Sequence, residues 1–187
     1  MNNIWQSKSI KLRSVEESDC DGYFSQPQGV LSQKLYDELT FPENSDDIKK
    51  RVKGYLELKD DNKCFIIEDK KGNMVGHIHT YECNKRNGTF FYGVEIKEEF
   101  WRNGYGTEAI KILLNFYFNY LRYNKVVSMV YGFNGPSLFL HNKLGFKREG
   151  QLCEMIYSDG KYHDLIYFGL TKKDFCEKYS IKLERDE

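Results

Sequence analysis

Residues 95–109 read EIKEEFWRNGYGTEA, and this stretch decides how the chain is organised. An apolar run, Thr89–Ile96, ends here, a short charged connection follows, and Gly104 and Gly106 then open an amphipathic helix. Glycine allows a tight turn and a close approach of the backbone to a ligand. The first N–H groups of a helix have no acceptor within the helix, and the helix dipole favours negative charge at that end. The stretch therefore predicts a cradle for a pyrophosphate, with a plain helix start as the alternative.

Length and charge narrow the class of protein. The chain has 187 residues, which predicts one domain, residues 1–187, with a sizeable core. Lys and Arg together number 28, as do Asp and Glu, and proteins that bind nucleic acid through its phosphates usually carry a basic excess. No stretch approaches the roughly 20 apolar residues that cross a bilayer, and residues 1–8 lack the basic-then-apolar order of a signal peptide. We therefore expect no nucleic-acid partner, no membrane contact and a cytoplasmic protein.

The cysteines show no short pairing. They are Cys20, Cys64, Cys83, Cys153 and Cys176. An odd count without a Cys-x-x-Cys motif disfavours both a disulfide framework and a zinc site. We therefore expect reduced, partly buried thiols, and no sequence feature marks one of them as a nucleophile.

Hydrophobic spacing predicts an alternation of short helices and strands. The predicted strands are 11–15, 63–69, 74–84, 89–96, 125–131, 146–157 and 161–171. The predicted helices are 16–25, 31–39, one capped by Ser45, one after the glycine loop, and 136–144 ended by Gly145; from Lys172 on we expect a charged helical tail or a frayed end. Asn87-Gly88 predicts a two-residue hairpin turn. Because hairpins join the middle strands, the predicted fold class is α+β, a mixed α/β sandwich, and not a doubly wound sheet.

Three segments carry a family resemblance. They are FWRNGYGTEA at 100–109, NGPSLFLHNKLGF at 134–146, and DGKYHD at 159–164 with the strand after it. In this order and spacing they resemble the GNAT superfamily of acetyl-CoA-dependent N-acetyltransferases, and within it the branch of the ribosomal-protein N-terminal acetyltransferases (RimJ/RimL-like). The resemblance covers residues 9–171 and leaves 172–187 as a C-terminal tail. It implies a central, mostly antiparallel twisted sheet flanked by helices.

The resemblance also implies direct transfer of acetyl from the co-substrate acetyl-CoA to an amine in a ternary complex. The backbone of the glycine loop would hold the pyrophosphate, and strand 89–96 would pair with the pantetheine and polarise the thioester carbonyl through a backbone N–H. Asn134 and Ser137 of the second segment would hold the pantetheine arm from the other side. The implied cofactor-binding residues are Val94, Ile96, Arg102, Asn103, Gly104, Tyr105, Gly106, Thr107, Asn134 and Ser137.

Two residues are predicted to be catalytic. Glu95 is a carboxylate in an otherwise apolar strand, and we expect it to act as general base toward an amine whose pKa is about 10.4. The alternative places Glu95 on the solvent face of the strand in an ion pair. His141 stands where many superfamily members carry a tyrosine thought to protonate the departing CoA thiolate, so it is predicted to be the general acid. The alternative is a partly exposed helix histidine without chemistry, with Tyr131, Tyr162 or Asp164 as further choices for either role.

A second departure from the family pattern is Trp101, where the superfamily often has Gln or Arg. Tryptophan is common there in the RimJ/RimL-like branch, and a backbone cradle does not depend on this side chain. His77 and His79 share a strand face, and with Cys83 nearby they suggest a metal; no fourth ligand is marked, so we expect no metal and assign the histidines to the acceptor pocket.

The leading interpretation is an N-acetyltransferase. A non-catalytic acetyl-CoA sensor or interaction module stays open, as does a binder of another nucleotide, although the loop lacks the Gly-Lys-Ser/Thr ending of a P-loop and the third glycine of a dinucleotide fingerprint. The acceptor is open among a protein N-terminus, a polyamine, an aminoglycoside-like antibiotic and a small metabolite, and a homodimer is left open. We expect residues 26–44 to shape the acceptor cleft, where Asp37, Glu38 and Glu43 would attract an amine.

Overall fold

Seven strands and five α-helices lie in the part of the chain that the structure describes. The structure, a computed structural model, describes residues 3–22, 24, 29–36, 41 and 43–180. Within these residues the strands are β1 (Ile10–Ser14), β2 (Cys64–Asp69), β3 (Met74–Asn84), β4 (Thr89–Ile96), β5 (Lys125–Tyr131), β6 (Lys147–Ser158) and β7 (Lys161–Thr171). The helices are α1 (Val30–Tyr36), α2 (Ser45–Leu56), α3 (Tyr105–Asn119), α4 (Gly135–Leu144) and α5 (Lys172–Tyr179), and 3₁₀ turns lie at Glu17–Cys20 and Glu98–Phe100.

The chain divides into two compact units whose segments alternate along the sequence. The first unit comprises Met1–Cys83 and Tyr92–Phe116, and the second comprises Asn84–Phe91 and Tyr117–Glu187. The glycine loop and the C-terminal half of β4 therefore belong to the first unit, and α4 belongs to the second.

In the first unit, β1, β2, β3 and β4 are neighbours in that order. β1 pairs antiparallel with β2, and β2 with β3. An apolar cluster packs α2 against one face of β2; its buried members are Val15, Phe24, Val52, Cys64 and Ile66. On the other face, Trp5 stacks on Phe65 with ring centroids 4.9 Å apart and contacts Phe116 of α3 at 4.4 Å. Helices thus cover both faces of this part of the sheet.

In the second unit the strand order is β4, β5, β7, β6. The first residues of β4 pair in parallel with β5, with Phe90 opposite Val126. β7 pairs antiparallel with both β5 and β6. The core forms around Phe90, whose ring stacks on Tyr117 at 4.5 Å and meets the edge of Tyr123 at 5.3 Å.

The predicted fold class is confirmed. The described residues form a mixed α/β structure with a mostly antiparallel sheet flanked by helices. The bounds of β3, β4, β5 and β7 are those that the sequence predicts, and Gly145 ends α4 with a φ of 93°, a left-handed conformation that glycine adopts without strain. The charged tail is helical over α5, and residues 181–187 lie outside the described part of the chain.

Membrane insertion was not expected from the sequence. In the described part of the chain, no helix combines the length and the apolar character that a transmembrane helix needs.

The helix predicted over 16–25 is wrong. Within the described residues 16–22 and 24, only Glu17–Cys20 is helical, as one 3₁₀ turn. The Asp19 carboxylate accepts a hydrogen bond from the backbone N–H of Glu16 at 2.8 Å and forms an ion pair with Arg13 at 2.7 Å. These contacts hold the turn to β1 instead of letting it continue as a helix. For the helix predicted over 31–39, the described residues form α1, whose last residue is Tyr36. Residues 37–40 lie outside the described residues.

The two-residue turn predicted at Asn87-Gly88 is also wrong, because four residues, 85–88, connect β3 to β4. The carbonyl of Gly88 accepts hydrogen bonds from the N–H groups of Asn124 at 2.7 Å and Lys125 at 3.0 Å. Gly88 is therefore engaged with the start of β5, and the turn widens around it.

Helix α2 is capped by Asn44 and not by Ser45. The Asn44 side-chain oxygen accepts from the N–H groups of Asp46 at 2.8 Å and Asp47 at 3.1 Å, and the Asp47 carboxylate accepts from the Asn44 N–H at 3.3 Å. Both Asn and Ser are good cap residues, but only Asn44 has an acidic residue three positions later for this reciprocal pair.

Replacing the cap should destabilise the protein. We expect Asn44→Ala to lower the free energy of unfolding by about 1 kcal/mol, because two helix N–H groups lose their acceptor. The matched change Ser45→Ala should alter it by less than about 0.5 kcal/mol. Urea unfolding followed by circular dichroism measures both, and equal losses would contradict the assignment of the cap.

Candidate functional site

The charged loop after β4 makes a sharp turn before α3. Arg102 and Gly104 both adopt left-handed backbone conformations, with φ of 64° and 80°. The Asn103 side-chain amide donates to the carbonyls of Phe100 at 3.1 Å and Trp101 at 3.3 Å, which holds the turn closed. A Cβ at Gly104 would meet no atom within 4 Å, so glycine is needed here for its φ and not for space.

Helix α3 begins directly at this turn. Its first intrahelical bond runs from the N–H of Glu108 to the carbonyl of Gly104, at 3.1 Å. The N–H groups of Tyr105, Gly106 and Thr107 precede that bond, so they have no acceptor inside the helix. Successive backbone N–H groups at a positive helix end suit an anion such as a pyrophosphate. The residues predicted for this role therefore do lie at a helix N-terminus.

The end of β4 is held by two side chains that the sequence analysis did not assign. Lys97 donates its N–H to the carbonyl of Val75 in β3 at 2.9 Å, so by strand alternation the polar groups of Ile96 point away from β3. The Ile96 carbonyl accepts from the indole N–H of Trp101 at 2.6 Å. The Ile96 N–H donates to the hydroxyl of Tyr36 at 3.2 Å. The Trp101 side chain thus caps the last carbonyl of β4. The sequence of the acidic loop between β4 and Trp101 does not indicate this contact.

Glu95 is buried, with 3% of its surface exposed. A Cβ at Gly93 would lie 2.6 Å from the ring of His79, so that ring packs on the strand at Gly93. Side chains two residues apart share a strand face, so Glu95 points to the face on which His79 lies. On that face burial, together with the negative charges of Asp19 and Glu95, raises the pKa of the Cys64 thiol to about 12. The solvent-face alternative for Glu95 is therefore wrong, and Cys64 is too weakly acidic to serve as a nucleophile.

The two histidines of β3 lie in an aromatic cluster. The rings of His77 and His79 stack 5.8 Å apart, and His77 also contacts Phe24 at 5.7 Å and Tyr55 at 5.8 Å. Burial lowers the pKa of both histidines to about 4, and the positive charge of Arg51 contributes to this lowering at His77. Both rings are neutral at pH 7. The buried Nδ1 of His79 has no hydrogen-bond partner among the described residues.

The metal interpretation of these histidines gains no support. Over the described ranges, no group of three or more His, Cys, Asp or Glu side chains is placed to hold a metal ion. Of the acidic residues predicted to attract an amine, Glu43 forms an ion pair with Arg51 at 2.8 Å, and Asp37 and Glu38 lie outside the described residues.

In the second unit, Asn134 and Ser137 form the start of α4. The Asn134 side-chain oxygen accepts from the Ser137 N–H at 3.0 Å, and Asn134 is 8% exposed. Asn134 therefore caps its helix, and the Ser137 hydroxyl oxygen in the first turn lies 3.3 Å from the Nδ1 of His141.

His141 is buried one turn further along α4, so the alternative of a partly exposed ring is wrong. Its ring stacks on Phe168 at 5.5 Å and meets Phe146 at 5.0 Å. The Nδ1 atom lies 2.8 Å from the carbonyl oxygen of Ser137, and because a carbonyl can only accept, Nδ1 carries a proton. Burial lowers the pKa of His141, which the bond to Ser137 only partly offsets. At pH 7 the ring is therefore neutral, and its Nε2 is an acceptor rather than a proton donor.

The buried histidines should make stability depend on pH. The folded-state pKa of His77 and of His79 lies near 4, below the value of about 6.5 expected in the unfolded chain, so the unfolded state binds more protons between these pH values. The free energy of unfolding should be level above pH 6.5 and fall as the pH drops toward 4, by about 3 kcal/mol per histidine at most. Urea unfolding between pH 4.5 and 7.5 measures this slope. His77→Phe, which keeps an aromatic ring, should make it shallower; an unchanged slope would contradict the proposed origin.

Comparison with known proteins identifies the family. The model of the acetyltransferase (GNAT) domain matches residues 9–147. The chain is 37% identical over 171 residues to the SPbeta prophage-derived uncharacterized N-acetyltransferase YokL of Bacillus subtilis (strain 168). This alignment covers 91% of this chain and 94% of that protein. It is 25% identical over 174 residues to the spermidine N(1)-acetyltransferase of Escherichia coli (strain K12), over 91% of this chain and 90% of the relative.

A solved structure shows the same fold. The spermidine N-acetyltransferase from Vibrio cholerae in complex with CoA and spermine matches with a TM-score of 0.80 at 20% identity, over 90% of this chain and 99% of that chain. Together with the loop and strand geometry, these matches place the chain: it belongs to the GNAT family of acetyltransferases and is an acetyl-CoA-dependent N-acetyltransferase.

Proposed function

We propose that the protein transfers acetyl from acetyl-CoA to a primary amine by direct attack in a ternary complex. The observation that carries this proposal is the buried Glu95 on the strand that leads into an anion-binding helix start. A carboxylate in that position can accept a proton next to the bound co-substrate, whereas a sensor of acetyl-CoA has no use for one.

We assign the pyrophosphate to the backbone of residues 102–107, whose turn and helix N-terminus suit an anion. The pantetheine arm is assigned to the backbone of Val94 and Ile96 on the edge of β4 that faces away from β3. In the second unit, taken by itself, we propose that the start of α4, where Asn134 caps the helix and Ser137 lies in the first turn, takes part in binding the co-substrate.

Glu95 is proposed as the general base. An aliphatic amine is protonated at pH 7 and must lose a proton before its nitrogen can attack. The Glu95 carboxylate takes that proton, directly or through a water, and the neutral nitrogen then bonds to the acetyl carbon. The carbon–sulfur bond breaks as the nitrogen loses its second proton, and that proton goes to the departing CoA thiolate or to solvent. The electrostatic surroundings favour this role: neutral His77 and His79 add no cation on the face of Glu95.

For the departing thiolate we propose that no proton from His141 is required. A thiol pKa of about 8.5 makes the thiolate a fair leaving group. Because neutral His141 donates through Nδ1 to the Ser137 carbonyl, its role is to fix the first turn of α4.

An aliphatic polyamine is the acceptor that we favour among those left open. Support comes from relatives named as spermidine N(1)-acetyltransferases, at 25% identity in Escherichia coli and 27% over 101 residues in Vibrio cholerae. The RimJ/RimL-like placement predicts a protein N-terminus instead, and a relative in Bacillus subtilis, 29% identical over 104 residues, is named as a putative ribosomal N-acetyltransferase. A panel of spermidine, spermine and N-terminal peptides, read by thiol release, separates the two.

The general base is tested by Glu95→Gln, which keeps the shape and removes the charge. We expect kcat to fall by about 10²- to 10⁴-fold, because the amine proton loses its acceptor, while the Kd for acetyl-CoA measured by calorimetry stays within about twofold. Glu99→Gln, an exposed carboxamide change in the neighbouring loop, is the matched control and should leave both unchanged.

Two outcomes would contradict this assignment. If the Glu95→Gln variant kept the wild-type kcat, Glu95 would not be the general base. If the wild-type protein bound acetyl-CoA but acetylated no amine in the panel, the non-catalytic sensor would be favoured.

His141→Gln tests the second assignment. Since a glutamine can still donate to the Ser137 carbonyl, we expect kcat at pH 7 to fall less than tenfold, and the alkaline limb of the pH–rate profile to keep its position. A loss of a hundredfold or more, with that limb displaced, would show that His141 supplies the thiolate proton after all.

A further inference from the structure

We propose that the hydroxyl of Tyr36 holds the backbone N–H of Ile96 in the cofactor-free protein, and that the pantetheine arm of acetyl-CoA displaces it on binding. Tyr36 is thereby a residue that sets the affinity for the co-substrate. The inference rests on the proposed function, because it takes the pairing of β4 with pantetheine as its starting point.

The geometry places Tyr36 on the binding edge of β4. Ile96 turns its polar groups away from β3, since the neighbouring Lys97 N–H is the one that bonds to Val75. Tyr36 is the last residue of α1, and its hydroxyl oxygen accepts from the Ile96 N–H at 3.2 Å. An extended ligand that pairs with this edge needs the same N–H, and one hydrogen serves one acceptor well.

The two bonds at Ile96 differ in how readily they exchange. The Trp101 indole N–H lies 2.6 Å from the Ile96 carbonyl oxygen, whereas the bond to Tyr36 is 3.2 Å, at the long end of the usual range. The hydroxyl belongs to a side chain of α1, so it can move without altering β4. Tyr36 is therefore the partner that a pantetheine oxygen replaces, and Trp101 stays.

The size of the effect follows from the net value of one intramolecular hydrogen bond. Breaking the Tyr36 bond opposes cofactor binding, and removing the hydroxyl removes that opposition. Tyr36→Phe should therefore lower the Kd for acetyl-CoA by about three- to tenfold.

The experiment compares two ligands in calorimetric titrations of the wild-type protein and Tyr36→Phe. Acetyl-CoA carries pantetheine, and ADP keeps the pyrophosphate but lacks the arm. We expect the gain for acetyl-CoA alone, with the Kd of ADP unchanged. Tyr120→Phe is the matched control, since Tyr120 is 57% exposed and lies beyond the end of α3, and it should leave both constants unchanged.

Three results for Tyr36→Phe would overturn the proposal: an unchanged Kd for acetyl-CoA, a higher Kd for acetyl-CoA, or an equal decrease in the Kd for ADP. The last of these would indicate a general structural effect. A wild-type protein that binds neither ligand is a different result, because it removes the proposed co-substrate and with it this inference.

A second measurement follows the amide itself. In protein labelled with nitrogen-15 isoleucine, the Ile96 resonance is identified by its absence from Ile96→Val. Its position should differ between wild type and Tyr36→Phe without ligand and coincide when both are saturated with acetyl-CoA. If the wild-type resonance does not move on saturation, Tyr36 keeps the N–H and the displacement is excluded.

Discussion

The backbone of β4 divides its hydrogen bonds between two edges, and the first unit's site depends on that division. Lys97 bonds to β3, while Ile96 turns to the other edge and is satisfied by the side chains of Tyr36 and Trp101. Buried backbone groups need partners, and side chains can supply them without adding a further strand. An edge that is held in this way keeps the geometry that an extended ligand recognises.

The same strand also divides its side chains between two faces. Gly93 has no side chain, so the His79 ring packs directly on the strand, and Glu95 emerges on the same face two residues later. Burial keeps His79 and its neighbour His77 neutral, so neither imidazole brings a positive charge to that face at pH 7. For the proposed function this means that no imidazolium on that face would repel the ammonium group of an amine acceptor.

Local pattern predicted the elements better than it predicted their contacts. The strands from β3 to β5 could be bounded from extended apolar runs and the turn signals between them, and the glycine loop could be placed before α3 because glycine spacing reports a backbone requirement. The choice between Asn44 and Ser45 could not be made in this way, since both cap well and a reciprocal bond from Asp47 decides. Tyr36 lies sixty positions from Ile96, so no spacing rule connects them. The burial of Glu95 could not be predicted because it results from the side chains that pack on the same face of the sheet. The position of the proton on His141 could not be predicted because it follows from the Ser137 carbonyl, which reaches the ring only in the folded helix.

The position of Trp101 shows how a departure from a family pattern can keep its physical role. Gln, Arg and Trp all carry a side-chain N–H, and here the indole N–H serves the Ile96 carbonyl at 2.6 Å. An indole can only donate, so Trp101 is suited to a carbonyl and cannot compete for an N–H. A tyrosine hydroxyl can accept, so Tyr36 takes the group that Trp101 cannot. The indole of Trp101 therefore bonds to the Ile96 carbonyl, and the phenol of Tyr36 bonds to the Ile96 N–H. The partner that we propose to be displaced, Tyr36, is thus on the N–H that a pantetheine oxygen would need.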